Sequence, residues 1–157
     1  MIRPALIVVA LLAGAPAFGD DKPDAKDAAA IEKCIEAKTG RHWAWEQCIG
    51  QISEPCSKDD GTDREVIACE DRERAVWDDI LNRSYQVLMK ALDDDQKGKL
   101  RDMQRAWIAS RDKSCTFLYD YFQGTMANPM IAACLARATG MQALYLRGFA
   151  DDVADRK

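Results

Sequence analysis

The chain has 157 residues, with 22 Lys and Arg against 26 Asp and Glu, and a formal net charge of −4. A mildly acidic chain is poorly suited to bind nucleic acid or an anionic membrane surface, and its charge favours a basic protein as the partner. After residue 19, no stretch approaches the roughly 18 apolar residues that a membrane-spanning helix needs.

The first 19 residues have the pattern of a secretory signal peptide. Arg3 provides a positive start, an apolar run follows from 5 to 15, and Ala17-Phe18-Gly19 fits a signal-peptidase site. We expect cleavage after Gly19, which removes Arg3 and changes the net charge from −4 to −5. Because the segment 1–19 contains no cysteine, we expect no lipid anchor, and the predicted location is periplasmic or secreted.

The remaining chain is predicted to form one small domain from 31 to 150, between a flexible segment at 20–30 and a C-terminal tail at 151–157. Its first part reads as a helical hairpin. One helix is predicted from 24 to 38 and a second from 41 to 52, with Gly40 at the turn.

Three longer helices follow, at about 64–92, at 96–122 and from Pro129 onward. Apolar residues recur in each at steps of three and four, which is typical of a helix with one buried face. Asp95 is predicted to cap the second of these helices. We find no alternating apolar and polar run bounded by turn residues, as a strand would give. The sequence therefore predicts an all-α fold, a small disulfide-linked antiparallel bundle of three main helices plus the N-terminal hairpin.

Six cysteines follow the signal segment, an even number that indicates a disulfide framework in an exported chain. They are Cys34, Cys48, Cys56, Cys69, Cys115 and Cys134. Folding the hairpin at Gly40 brings Cys34 close to Cys48, so we pair these two. Metal binding is not predicted, because the chain has no C-x-x-C pair and a single histidine, His42.

The other four cysteines all fall at one end of an up-down-up bundle. Folding the chain at 93–96 brings Cys69 within one helical turn of Cys115. This favours Cys69–Cys115 together with Cys56–Cys134. A Cys115–Cys134 bond is also within reach, so spacing alone leaves the pairing open.

Two helical segments carry polar and aromatic residues on faces expected to meet. The residues are Glu73, Trp77, Leu81, Asn82, Tyr85, Gln104, Trp107 and Arg111. Glu73 interrupts an apolar stripe, and Arg111 is predicted to pair with it across the helices. The set serves either to fix helix register or as a recognition surface with Trp107 and Arg111 as anchors.

These residues carry a resemblance to a known family. LNRSY at 81–85, QRAWIASRDKSC at 104–115, and Cys134 with Thr139 resemble the LprI-like lysozyme-inhibitor domain of bacterial exported proteins, over about 48–147. The resemblance implies a small disulfide-linked helical domain outside the cytoplasm, and a lysozyme or another basic protein as partner. The chain departs from the family by lacking a lipoprotein cysteine and by having Gln142 where an Arg is usual.

The short uncharged loop QGTMAN at 123–128 is the predicted partner-binding segment. Gln123, Thr125 and Asn128 offer sugar-like hydrogen bonds to a saccharide-binding cleft, and Met126 offers an apolar contact. The alternative is an ordinary connection between helices.

No catalytic residue and no cofactor is predicted. His42 lies between Arg41 and Trp43, and an adjacent positive charge does not favour its use as a base. Paired cysteines are not nucleophiles, and no glycine-rich phosphate loop occurs. The sequence therefore favours an inhibitor that acts by binding. The competing function is an assembly module that binds another envelope protein and has no affinity for lysozyme.

Overall fold

A computed structural model describes residues 23–38, 40, 42–57 and 61–156. All regular structure in these ranges is helical, which confirms the all-α prediction. The elements are α1 (Ala25–Glu36), a 3-10 helix (His42–Cys48), α2 (Ser53–Cys56), α3 (Asp63–Ala91), α4 (Asp94–Phe122) and α5 (Ala127–Asp155). None of the helices in the described ranges has the length and apolar character required to cross a bilayer. The predicted signal peptide at 1–19 lies outside the described residues.

Side-chain caps fix where α3 and α4 begin. Thr62 and Glu65 form a reciprocal capping box at the start of α3. At α4 the same arrangement joins Asp93 to Gln96. The prediction of Asp95 as the cap is therefore wrong, because Gly98 stands three residues after Asp95 and has no side chain to return the bond.

Two further boundaries differ from the sequence-based expectation. The last helix begins at Ala127 rather than at Pro129, and it continues to Asp155, through most of the predicted tail. The segment predicted as one helix from 41 to 52 is a 3-10 helix that ends at Cys48, followed by a turn and the single-turn helix α2.

The closest packing in the fold is between α3 and α5, and α4 packs mainly on α5 rather than along α3. Small residues explain this choice, since they line the face of α5 that is buried and let the two backbones approach. They are Ala132, Ala136, Gly140 and Ala143. A methyl group placed on Gly140 would lie 3.3 Å from the Trp77 ring and 3.1 Å from Ile49.

The N-terminal hairpin packs on the bundle core and is fastened to it. Ile31 and Ile35 join the core around the fully buried Trp77. The predicted Cys34–Cys48 bond is confirmed, with the two Cα atoms 5.8 Å apart.

Two groups of ion pairs add to this attachment. The buried Asp27 accepts two hydrogen bonds from Arg72 of α3. Glu32 pairs with Arg83 of α3 and with Arg147 of α5.

The other two disulfides correct the favoured pairing. Cys56 bonds to Cys69 and Cys115 bonds to Cys134, with Cα separations of 5.7 and 5.6 Å. The preferred pairs, Cys69–Cys115 and Cys56–Cys134, are wrong. The helix α2 folds back against the start of α3, which places Cys56 beside Cys69, and α4 lies against α5 rather than α3.

Candidate functional site

The polar and aromatic residues singled out in the sequence converge on one groove between α3 and α4. The groove has a volume of about 510 Å³. Its lining includes Leu81, Asn82 and Tyr85 from α3 and Gln104, Trp107 and Arg111 from α4. Glu73 and Trp77, the other two predicted members, lie in the interior of the molecule instead.

The Arg111 guanidinium is held on three sides. It lies 4.8 Å from the centre of the Trp107 ring, in the geometry of a cation–π contact. It pairs with Asp112 at 2.9 Å, and its Nη1 donates to Thr139 Oγ1 of α5 at 3.4 Å. The predicted pairing of Arg111 with Glu73 is therefore wrong, because Arg111 turns toward α5 while Glu73 faces the turn that precedes α2.

Gln104 also connects α4 to α5. The side-chain amide of Gln142 donates a hydrogen bond to Gln104 Oε1. A neutral amide at position 142 thus satisfies the side-chain carbonyl of the buried Gln104.

The carboxylate of Glu73 organises the chain around the turn before α2. It is only 1% exposed. Its Oε1 accepts from Gly50 N at 2.6 Å and from Trp77 Nε1 at 2.9 Å, and its Oε2 accepts from Ile52 N at 2.9 Å and Ser53 N at 2.8 Å. Four donors satisfy a buried charge without a cation. Sequence reasoning identified Glu73 as unusual but missed this role, since backbone N–H groups leave no residue-type signal.

Glu70 lies one turn before Glu73 on α3, and the two carboxyl groups interact electrostatically. Burial raises the pKa of the Glu70 carboxyl, and the neighbouring Glu73 charge raises it further.

The groove offers groups suited to binding. Its lining includes the carboxylate of Asp78 and the phenol of Tyr85 opposite the polar residues of α4. Arg101 makes no ion pair within the described residues, and Arg105 pairs with Asp102. Indole, guanidinium and amide groups suit hydrogen bonding and stacking with a protein or small polar ligand.

The predicted partner-binding loop, 123–128, connects the C-terminal end of α4 to the N-terminal end of α5. The Cys115–Cys134 bond joins the same two helices. Gln123 adopts a left-handed conformation with φ 50°, and Gly124 follows with φ 141°. Backbone bonds from Gln123 N to Tyr119 O and from Ala127 N to Gly124 O fix the turn. Gln123, Thr125, Met126 and Asn128 are all exposed.

Aromatic side chains flank this loop on the last two turns of α4. Tyr121 contacts the rings of Phe117 and Phe122, with centroids 6.1 and 4.9 Å away. Tyr121 is 69% exposed and Met126 of the loop is 65% exposed. Large apolar side chains grouped at a surface in this way are typical of interaction sites.

Comparison with known proteins identifies one family. The family model described as "Lysozyme inhibitor LprI" matches residues 55–146. Comparison with curated proteins gave no significant match, and comparison with solved structures gave none either. The matched span contains the whole groove, the 123–128 loop and two of the three disulfides. The chain therefore belongs to the LprI lysozyme inhibitor family.

Proposed function

We propose that this protein inhibits a lysozyme-type muramidase by binding to it, in the periplasm or after secretion. The observation that carries the proposal is the family match over 55–146, which contains the structural motif and the exposed loop. The family is described as one of inhibitors, so the proposed action is protein–protein binding without a catalytic step.

Charge supports a basic partner of this kind. The chain has a net charge of −4, and export with cleavage after Gly19 would remove one further positive residue, Arg3. Opposite charges accelerate the encounter of two proteins, and salt screens this effect. Three disulfides suit a compartment that is oxidising, where lysozymes also act.

The proposed contact surface is the 123–128 loop together with the aromatic residues beside it. The loop is anchored by its own backbone bonds and by the adjacent disulfide, so little conformational freedom remains to be lost on binding. Met126 and the neighbouring rings of Phe117, Tyr121 and Phe122 provide apolar area. Gln123, Thr125 and Asn128 provide uncharged hydrogen-bonding groups that match those of a saccharide.

The test is a titration of lysozyme in a cell-wall lysis assay. The wild-type protein is compared with a triple variant, Gln123→Ala, Thr125→Ala and Met126→Ala, whose helix content is checked by circular dichroism. We expect inhibition by the wild type at micromolar concentration and a loss of at least about tenfold in the variant, as the removal of central contact residues typically produces.

A matched control replaces exposed residues on a different helix. Gln86→Ala with Val87→Ala on α3 removes one polar and one apolar exposed side chain far from the loop, and should inhibit as the wild type does. Equal inhibition by the loop variant and the wild type would place the contact surface elsewhere. Absence of inhibition by the wild type would favour the alternative function, binding to another envelope protein.

A further inference from the structure

A second surface pocket lies between the N-terminal hairpin and the C-terminal half of α5. We call it the hairpin pocket. It encloses about 370 Å³, within the range of ligand sites. Its lining includes His42, Trp45 and Glu46 of the 3-10 helix and Tyr145, Phe149 and Asp152 of α5. Five of these six lie outside the span 55–146 that the family model matches.

Aromatic rings form two walls of the hairpin pocket. His42 stacks on Trp45 with ring centroids 4.1 Å apart. On α5, Tyr145 and Phe149 meet edge to face at 5.0 Å. Although they stand in a stripe at helical spacing, Tyr145 and Phe149 are 51% and 47% exposed. These exposed rings provide aromatic surface at the mouth of the pocket.

Two carboxylates complete the lining. Glu46 and Asp152 are both exposed, and neither forms an ion pair or a side-chain hydrogen bond within the part of the chain that the structure describes. By contrast, the neighbouring Asp151 pairs with Arg147, and Glu32 pairs with both Arg147 and Arg83. Arg147 is thus paired outside the pocket, whereas no ion pair to Glu46 or Asp152 occurs among the described residues.

We propose that the hairpin pocket binds an alkylammonium group, carried by a free amine or by a lysine side chain of a partner protein. Aromatic faces attract a cation through their π electrons, and carboxylates at the rim add direct charge attraction. The rings also accommodate the methylene groups of the alkyl chain. This inference does not depend on lysozyme inhibition, since the 123–128 loop lies at the other end of α5.

The first experiment uses n-butylammonium chloride with the oxidised full-length mature protein. Titration is followed by NMR of the ring resonances of His42, Tyr145 and Phe149, and n-butanol serves as the uncharged probe of similar size. We expect saturable shifts with butylammonium and none with butanol. Equal responses to both probes would overturn the proposal, because they would show a merely apolar cavity.

Variants test whether butylammonium binds in the pocket or associates with the negatively charged surface in general. Glu46→Gln with Asp152→Asn, and separately Phe149→Ala, should each weaken butylammonium binding by about 3- to 30-fold. The controls, Asp120→Asn on α4 and Val87→Ala on α3, remove an exposed acid and an exposed apolar side chain that do not line the pocket and should change the affinity less than twofold. Unchanged binding in both pocket variants would also overturn the proposal.

A second titration identifies the source of the ammonium group. Lysozyme with native lysines and lysozyme with acetylated lysines are added to separate samples. Pocket shifts that appear only with native lysines assign the site to a partner's side chain, whereas shifts that appear only with butylammonium assign it to a free amine. The outcome of the inhibition assay does not decide this proposal, because butylammonium binding is measured without lysozyme.

Discussion

Glu73 connects three parts of the chain through one carboxylate. It receives two hydrogen bonds at each oxygen, from the turn before α2 and from Trp77 in the centre of the core. The 50–53 turn carries no other comparable anchor in the described structure, and the Cys56–Cys69 bond follows it directly. We infer that Glu73 sets the path of the chain into α2 and hence the geometry of that disulfide.

We therefore predict that Glu73→Gln lowers the free energy of unfolding by about 2–4 kcal/mol, because a neutral amide turns two donor hydrogens toward donors that need an acceptor. Urea unfolding with the disulfides intact measures this. A loss below about 0.5 kcal/mol, which is typical of a surface change, would show that the four bonds are not essential.

Substitution of the neighbouring Glu70 should change the free energy of unfolding in the opposite direction. Burial and the Glu73 charge raise its pKa in the folded protein above the ordinary value of 4.5. The folded state then holds the proton more tightly, so this carboxyl stabilises the fold at low pH, and the contribution is lost as pH rises through the raised pKa.

Glu70→Gln should accordingly raise the free energy of unfolding at pH 7, and the difference from the wild type should vanish below pH 4. The measurement is urea unfolding of both proteins across this pH range. A variant that is less stable than the wild type at pH 7 would contradict the assigned direction of the pKa.

At the scale of whole elements, the small-residue face of α5 decides which helices become neighbours. A matched pair of glycines on this helix tests the point. A methyl group at Gly140 would crowd Trp77 and Ile49, whereas at Gly148 nothing lies within 4 Å.

Gly148→Ala should stabilise the protein by about 0.5–1 kcal/mol through helix propensity. Gly140→Ala should lose this gain to overpacking and be less stable than Gly148→Ala by about 1–3 kcal/mol. Thermal and urea unfolding of the two variants give the comparison. Equal stabilisation by both substitutions would mean that α3 and α5 are not closely packed.

The elements show how far the sequence predicts the fold. The bounds of α3 differ from the expected 64–92 by one residue at each end, because capping signals and an apolar stripe agree there. On α5, Met141, Tyr145 and Phe149 recur at steps of four, as a buried stripe would, yet all three are exposed. Periodicity favours large apolar residues as the core face, although here the small residues form it. The repeat of Ala132, Ala136 and Gly140 at steps of four is the signal that indicates a close helix contact.

The packing of the helices also limits how much of the candidate site the sequence predicts. Six of the ten residues that line the groove are predicted from the sequence, whereas Asp78, Arg101, Arg105 and Ile108 are not. The contacts of the six are not predicted either, because Arg111 and Gln104 bond to α5 instead of across to α3. No spacing rule gives the helix order in a bundle whose connections all allow several arrangements.

Across the whole molecule, the disulfides divide the chain into three locally closed segments. They join residues 14, 13 and 19 positions apart, so none of them links distant parts of the sequence. We predict that peptide mapping of the exported protein finds Cys34–Cys48, Cys56–Cys69 and Cys115–Cys134, no free thiol, and an N-terminus at Asp20. A Cys69–Cys115 peptide, or an intact Met1, would contradict the account.

Three surfaces of the protein are thus given different roles. The α3–α4 groove contains the family motif, the 123–128 loop with its aromatic neighbours is the proposed inhibitory face, and the hairpin pocket is the proposed ammonium site. The last two lie toward opposite ends of α5, which is 29 residues long. Such separation permits each surface to be altered without the other.

The most direct test of the central claim is the equilibrium binding of the mature, oxidised protein to a basic lysozyme, measured by calorimetry at low and at physiological salt. The account predicts a one-to-one complex with a dissociation constant in the micromolar range or below, and weaker binding as salt increases. Absence of detectable binding at low salt, with a protein whose three disulfides and helix content are intact, would contradict it.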